Sequence, residues 1–293
     1  MMRKDRRLAF IFLCPLALSI LLFQLYPIFL NGFYSLLNWN GLTKTANFIG
    51  LDNYIQLFED SLFWNAVGNS LLFAVLGTIL QVGISFGLAA LCEFAGFKKG
   101  NWIRLLFILP VAATSAVVGI VFKTLFAYEG PVNGMISLLG FAPVNWLADP
   151  VWAFVLILLV SVWKETGTLF IYWMAGFSSV PAETLEAAKL DGASDWQLLR
   201  HMYLPVMKPI LVMCASITFI NCLKAFDLIQ TLTGGGPYYA TDVLSTFIYQ
   251  TAFTGSFGSP KLSYACAAAI VILLVASGLY AVKRIIQKVW VRT

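Results

Sequence analysis

The stretch Val180–Pro209, VPAETLEAAKLDGASDWQLLRHMYLPVMKP, is a polar island between two long apolar segments. Its residues read as two short helices. Pro181 sits at a helix start, where its missing N–H costs nothing, and Glu183 and Glu186 suit the positive N-terminal end. Gly192 ends that helix in the manner of a C-terminal glycine. Ser194, with Gln197 three residues on, forms a capping box for a second helix, and Pro205 is expected to stop it. Ala187 and Ala188 leave one face thin, as suits a surface that another protein's backbone approaches. The competing reading is an amphipathic helix lying on the bilayer. Such helices carry Lys and Arg beside large apolar residues, whereas this one is acidic and Ala-rich.

Outside the island the chain is built for lipid. Of its 293 residues 60% are hydrophobic and 11% are charged, where a soluble surface needs about a quarter charged. Mean hydropathy is +0.83. Six apolar runs, at 8–30, 68–91, 103–126, 151–177, 210–232 and 264–286, are each about 20 residues or longer, enough to cross a hydrocarbon core of about 30 Å. Lipid cannot satisfy an open backbone, so these spans are expected to be helices and the fold an all-α membrane protein. The fifth run is interrupted by Asn221, Lys224 and Asp227.

Loop charge sets the orientation. With a cytoplasmic N-terminus, the inner side holds Arg3, Lys4, Arg6, Arg7, Lys98, Lys99, Arg104, Lys189, Arg200, Lys208, Lys283, Arg284, Lys288 and Arg292 of the 19 Lys and Arg, while the outer loops hold Lys44 and Lys261. Both termini and the island are therefore placed in the cytoplasm. The net charge of +5 is this bias. The cations are scattered over four loops, which excludes a nucleic-acid patch. The first run is too long for a cleaved signal and shows no small-residue cleavage site. The five cysteines are isolated and without a Cys-x-x-Cys, which argues against disulfides and metal sites.

The outer loops carry Trp39, Tyr54, Phe58 and Trp64, then Trp146, residues that suit an interfacial aromatic belt. The third outer loop opens with Gly234-Gly235-Gly236-Pro237, a helix breaker that is not a phosphate loop, since no Lys-Ser or Lys-Thr follows. The sequence offers no nucleophile–His–acid set, no metal-ligand cluster and no Walker lysine. His201 is the single histidine, and it reads as a surface or contact residue.

Glu186, Ala187 and Ala188, then Asp191, Gly192 and Ala193, then Leu204, Pro205 and Pro209 resemble the EAA signature of the permease subunits of binding-protein-dependent ABC importers. Leu109-Pro110, Met174-Ala175-Gly176-Phe177 and Thr231-Leu232-Thr233-Gly234-Gly235-Gly236-Pro237, followed by Tyr249, Ala252 and Phe253, are similar to the first of the two permease subunits of carbohydrate importers. The resemblance runs from the second span to the end. It implies a type I ABC importer transmembrane domain with six transmembrane helices, organised as an N-terminal helix and external loop at 1–67 and a permease core at 68–293 whose cytoplasmic coupling loop occupies 178–209. It implies as partners a second homologous permease subunit, two cytoplasmic ATPase subunits that use ATP and Mg, and an external solute-binding protein. This chain itself would bind no cofactor and catalyse no reaction. The expected cargo is a sugar, an oligosaccharide or glycoside, moved by alternating access through the bacterial or archaeal inner membrane. Glycerol phosphate, a polyamine or another small polar solute is the alternative cargo. A secondary transporter is the rival of another class, and it leaves the Glu-Ala-Ala loop unexplained.

The resemblance further places a substrate path along the third, fourth and fifth spans, at Val111 and Ser115, at Lys164, Glu165 and Thr168, and at Asn221, Cys222 and Ala225. Intramembrane Lys and Glu are costly in lipid and face a cavity or each other by default. Lys164 and Glu165 are adjacent, so their side chains are expected to diverge by about 100° on a helix without pairing. Lys224 and Asp227 are then candidate partners. Where the family often has apolar or small residues, this chain has Lys164 and Glu165, and they serve either as substrate contacts or as a charge network joining spans four and five. Trp163, Tyr172 and Trp173 are candidates for stacking on a sugar ring, with ordinary packing as the alternative.

Overall fold

The structure, a computed structural model, describes residues 12–94, 107–254 and 259–290, with side chains described as far as 278. The chain forms two compact units, Met1–Trp64 with Phe247–Thr293, and Asn65–Thr246. Elements in chain order are α1 (Phe12–Tyr34), a two-stranded antiparallel hairpin of β1 (Leu37–Asn38) and β2 (Asn47–Phe48), α2 (Asp52–Glu59), α3 (Ser61–Phe94), a 3₁₀ turn (Leu109–Ala112), α4 (Ser115–Leu125), α5 (Pro131–Leu138), α6 (Pro150–Ser178), α7 (Ala182–Leu190), α8 (Asp195–Leu223), α9 (Asp227–Leu232), α10 (Leu244–Tyr249) and α11 (Leu262–Trp290). The six expected spans correspond to α1, α3, the segment ending in α4, α6, α8 with α9, and α11. The inner-side cations of 1–11, 95–106 and 291–293 lie outside the described residues.

In the larger unit α6 is the central helix. Asp149 caps it, its Oδ1 accepting from Val151 N at 2.9 Å and Trp152 N at 3.0 Å. Pro150 occupies its first turn, where the absent N–H would have been unpaired anyway. The helix is apolar all round; Leu156, Ile157, Val160, Phe170 and Trp173 are buried in this unit, whereas Leu159, Trp163 and Ile171 stay exposed. One end packs Leu156, Ile157 and Val160 against Phe73, Cys222, Leu228 and Leu232. The other packs Phe170, Trp173 and Phe177 against Leu198, Tyr203 and Met207. Truncating a ring such as Trp173, fully buried, would cost about 3–5 kcal/mol. Its indole N–H donates to Ser85 Oγ at 2.9 Å. It is therefore a packing residue and not a stacking platform for a sugar.

Two spans expected to be continuous helices are broken. The third passes through the 3₁₀ turn at Leu109–Ala112, extends at Ala113, and restarts at Ser115 behind Thr114, whose hydroxyl accepts from Val117 N at 3.4 Å. Pro110 cannot donate into a helix, and Thr114 supplies the new cap. The fifth ends at Leu223, turns through Lys224 and Phe226, and restarts as α9 at Asp227. A cation at a helix C-terminus and a carboxylate at the next N-terminus both suit the helix dipoles. Conversely, Pro205 does not stop the second island helix. A π-turn at Leu199–Tyr203, closed by Leu204 N–H to Leu199 O, carries the chain into Pro205 and on to Leu223. The wide turn leaves Pro205 at a position that needs no donor.

In the smaller unit α1 packs on α11, where Gly32 meets Ile270. None of residues 12–29 is buried within the chain. The hairpin and α2 are tied down by side chains: Asn53 Nδ2 donates to Ser35 O at 2.8 Å and Leu37 O at 2.7 Å, and Tyr264 Oη donates to Asp60 Oδ2 at 2.7 Å.

Candidate functional site

Two regions of the larger unit hold the residues singled out from the sequence. The first is the island. α7 ends in a Schellman turn, with Gly192 N–H to Lys189 O at 3.1 Å and Ala193 N–H to Ala188 O at 3.0 Å. Gly192 adopts φ +83°, which a side chain would strain. The capping box forms as expected: Ser194 Oγ accepts from Gln197 N at 3.4 Å, and Gln197 Oε1 accepts from Ser194 N at 2.8 Å.

The thin alanine face divides. Ala188 turns inward and is buried with Leu198 against Phe177, Val180 and Met207, so it anchors the loop rather than presenting it. Glu186, Ala187, Asp191 and Gly192 stay exposed, and Ala193 and Leu204 are half-buried beside exposed Pro205. Leu190, 89% exposed, and Trp196, 65% exposed, project apolar surface from the same loop. A depression of 320 Å³ between the helices is lined by Asp191, Gly192, Ala193, Gln197, Leu198, His201 and Met202. Exposed carboxylates at Glu186 and Asp191, bare apolar side chains and a dent of this kind suit the docking of another protein.

The second region is a cavity of 420 Å³, within the range of about 300–1,000 Å³ typical of small-molecule sites. Ser115, Lys164, Glu165, Thr168, Asn221, Cys222 and Ala225 line it, as do Lys224 and Asp227. Val111 falls outside this lining and packs instead against α6. There Gly167 permits close approach: a Cβ on it would lie 2.1 Å from Phe107 O and 2.9 Å from Val111 Cγ2.

Lys164 and Glu165 do pair, contrary to the expectation from their spacing. Lys164 Nζ lies 2.8 Å from Glu165 Oε1. Their Cβ atoms diverge, but the long flexible stems bring the tips together. The Lys164 side chain is only 10% exposed, and an ammonium that far from water needs a charged partner. Lys224 and Asp227 are exposed to the cavity, and neither forms an ion pair among the described residues.

Gln81, Ser161, Thr218 and Tyr172 complete the polar wall. Gln81 Nε2 donates to Ser161 Oγ at 3.0 Å. A Gln and a Ser in the middle of apolar runs were the signal for these two. Trp163 stands apart from the cavity, its ring against Phe122. The cavity thus offers amides, hydroxyls and balanced charge for hydrogen bonding to a polar solute, and no group poised to attack one.

The Gly-Gly-Gly-Pro element forms a fold of its own beside α3. Asn69 Nδ2 donates to Tyr239 O at 3.1 Å and Asp242 O at 3.0 Å, and Leu244 N donates to Ser70 Oγ at 2.8 Å. Burial pushes the Asp242 carboxyl up to about 6, with Thr246, whose hydroxyl donates to it, pulling the other way.

Comparison with known proteins identifies the family and the fold. Residues 83–291 match the family of binding-protein-dependent transport system inner membrane components. The probable ABC transporter permease protein YurN of Bacillus subtilis is 34% identical over 94% of this chain and 94% of its own length. The lactose transport system permease protein LacF of Rhizobium radiobacter is 31% identical, over 90% of this chain and 88% of its own. Among solved structures, a bacterial ABC transporter involved in the import of the acidic polysaccharide alginate superposes with a TM-score of 0.82, at 24% identity, covering 97% of this chain and 96% of that one. At that identity the likeness is one of fold.

Proposed function

Since the chain belongs to the binding-protein-dependent transport system inner membrane component family, we propose that it passes a carbohydrate through the cavity of α6, α8 and α9, driven from the exposed loop between α7 and α8. It is a multi-pass inner-membrane permease subunit of an ABC importer and not an enzyme. The observation that carries the cavity reading is convergence: seven of the eight path residues drawn from three separate spans line one space, where polar groups stand among the apolar side chains of Phe73, Leu169, Ile217, Phe226 and Leu228. A lactose permease among the relatives supports a saccharide cargo. So does a wall of amides and hydroxyls with two ammonium and two carboxylate groups, which favours a neutral polyhydroxylated solute over an ion.

In this reading a second homologous permease subunit supplies the facing wall, and two cytoplasmic ATPases bind at the exposed carboxylates of Glu186 and Asp191. An external binding protein delivers the solute, and both termini lie in the cytoplasm. ATP-driven closure of the ATPases pushes α7. Because Ala188 and Leu198 are anchored in the core around α6 and α8, the push moves those helices and opens the cavity to the other side. Alternating access needs no chemistry from this chain.

The test is uptake into proteoliposomes holding the complete importer and its binding protein, with labelled oligosaccharides against labelled glycerol phosphate and putrescine. ATP-dependent uptake of a saccharide is expected. Uptake without the ATPases, or of the non-sugar solutes alone, would overturn the proposal.

A further inference from the structure

The smaller unit holds two adjoining cavities that play no part in the reading above. They have volumes of 290 and 390 Å³ and share Gln56, Lys261 and Tyr264 as a common wall. Neither shares a lining residue with the cavity of the larger unit. Their walls come from the hairpin and its flanks, α2, α10 with the turn that follows it, and the start of α11, the segments assigned by charge to the outer side.

Three observations point to a ligand. Thr251 lines one cavity and Ser263 the other, both are almost wholly buried, and neither hydroxyl has a hydrogen-bond partner among the described residues. A buried hydroxyl left unpaired is disfavoured, and a ligand that pairs with it recovers the difference. Gln56, exposed on the shared wall, offers both a donor and an acceptor. Tyr264 and, in the larger cavity, Trp39 add aromatic surface, and the Lys261 ammonium stands 6.0 Å from the Tyr264 ring centroid.

Charge narrows the chemistry. Among the described residues Lys261 is the single cation on these walls, and Glu59 and Asp60 on the same walls outnumber it, Asp60 already accepting from Tyr264. That balance gives an anion no surplus positive charge. Hydroxyls, an amide and aromatic rings together match a neutral sugar, which carries donor–acceptor hydroxyls and apolar C–H surface on one ring. We propose that this paired cavity is a second saccharide site, borne by the outer segments and distinct from the transmembrane path.

The test uses the complete importer in nanodiscs without its binding protein, and saturation-transfer NMR with maltotriose, cellotriose and raffinose. At least one trisaccharide is expected to give a transfer signal. The double variant Gln56→Ala/Lys261→Ala, both residues exposed, should weaken that binding about tenfold, the loss of roughly one to two hydrogen bonds, with the melting temperature unchanged. Asn221→Ala, in the transmembrane cavity, should leave the signal intact while lowering uptake in proteoliposomes, which separates this inference from the transport reading. The proposal is overturned if no trisaccharide gives a signal, or if the signal survives the double variant or disappears with Asn221→Ala. It is also overturned if the double variant spares the sugar and instead loses capture of the binding protein, since the face would then hold a protein segment.

Discussion

The loop between α7 and α8 and the cavity of α6, α8 and α9 lie in one unit but are built by opposite means. The loop is local. A proline, a glycine at φ +83° and a Ser–Gln capping pair, all within 30 consecutive residues, shape its turns through hydrogen bonds no more than five residues apart, while Ala188 and Leu198 tie it to the core. The cavity is assembled at long range, with Gln81 meeting Ser161 and Cys222 across three helices. A single backbone change should therefore disable the loop outright. The cavity, with its function spread over many side chains, should lose activity in steps.

The largest effect is expected at Gly192. A Cβ there meets nothing within 4 Å, so Gly192→Val acts through backbone strain of about 1 kcal/mol or more, which displaces the docking surface itself. Uptake should fall to background while the chain still inserts, and the ATPase should no longer co-purify. Glu186→Lys, reversing one exposed charge, should do the same less completely. Normal uptake and normal ATPase capture by Gly192→Val would remove the loop from the coupling role.

Next in size is the Lys164–Glu165 pair. Glu165→Ala strands an ammonium whose side chain is 10% exposed. It should destabilise the protein near the lower end of about 3–5 kcal/mol, because the pair borders the cavity. Lys164→Met leaves the better-exposed carboxylate and should cost less than half as much. Thermal melts of the purified complex measure the difference. Equal losses would mean that the pair is no more than a solvated contact.

A smaller step is expected at Asn221, exposed in the cavity. Asn221→Ala removes one hydrogen-bonding group, about 1.4 kcal/mol and hence about tenfold in uptake. Initial uptake rates check the tenfold loss, and pull-down of the ATPase should be unchanged. Loss of ATPase binding would erase the distinction between the two regions.

What the sequence revealed follows the same division. The α7 terminus, the capping box and the six apolar runs were legible because each depends on near neighbours or on length. Pro205 was misleading, because the π-turn that accommodates it is a backbone adjustment with no signature in residue types. The break at Ala113 was hidden within an apolar run, where composition is uniform whether the helix continues or not, whereas the break at Lys224–Phe226 falls where Asn221, Lys224 and Asp227 interrupt the fifth run. Lys164 and Glu165 were read by helical spacing alone, which ignores the reach of their stems. Ala188 could not be assigned to an inner face without knowing that Phe177 and Met207 close over it. Gln81 and Ser161 were visible as polar residues in apolar runs, but which helices they faced was not.

The smallest predicted effect sharpens the comparison most, because it probes the loop without moving its backbone. Ser194 caps α8 by accepting from Gln197 N. Ser194→Ala removes that acceptor, worth about 1 kcal/mol at a helix start, but leaves the backbone N–H of residue 194 bonded to Gln197 Oε1. It also leaves Gly192, and with it the Schellman turn, in place. Leu198 remains buried and holds the helix to the core. The first turn of α8 should therefore fray without detaching, and amide exchange at Gln197 and Leu198, the two first-turn amides bonded to Ser194, should quicken about fivefold, somewhat below the factor of ten that 1.4 kcal/mol would give. If the ATPase transmits force through this turn, uptake per ATP hydrolysed should fall by a similar factor while ATPase capture stays normal. Faster exchange with unchanged coupling would place the force path through α7 and its buried Ala188 alone.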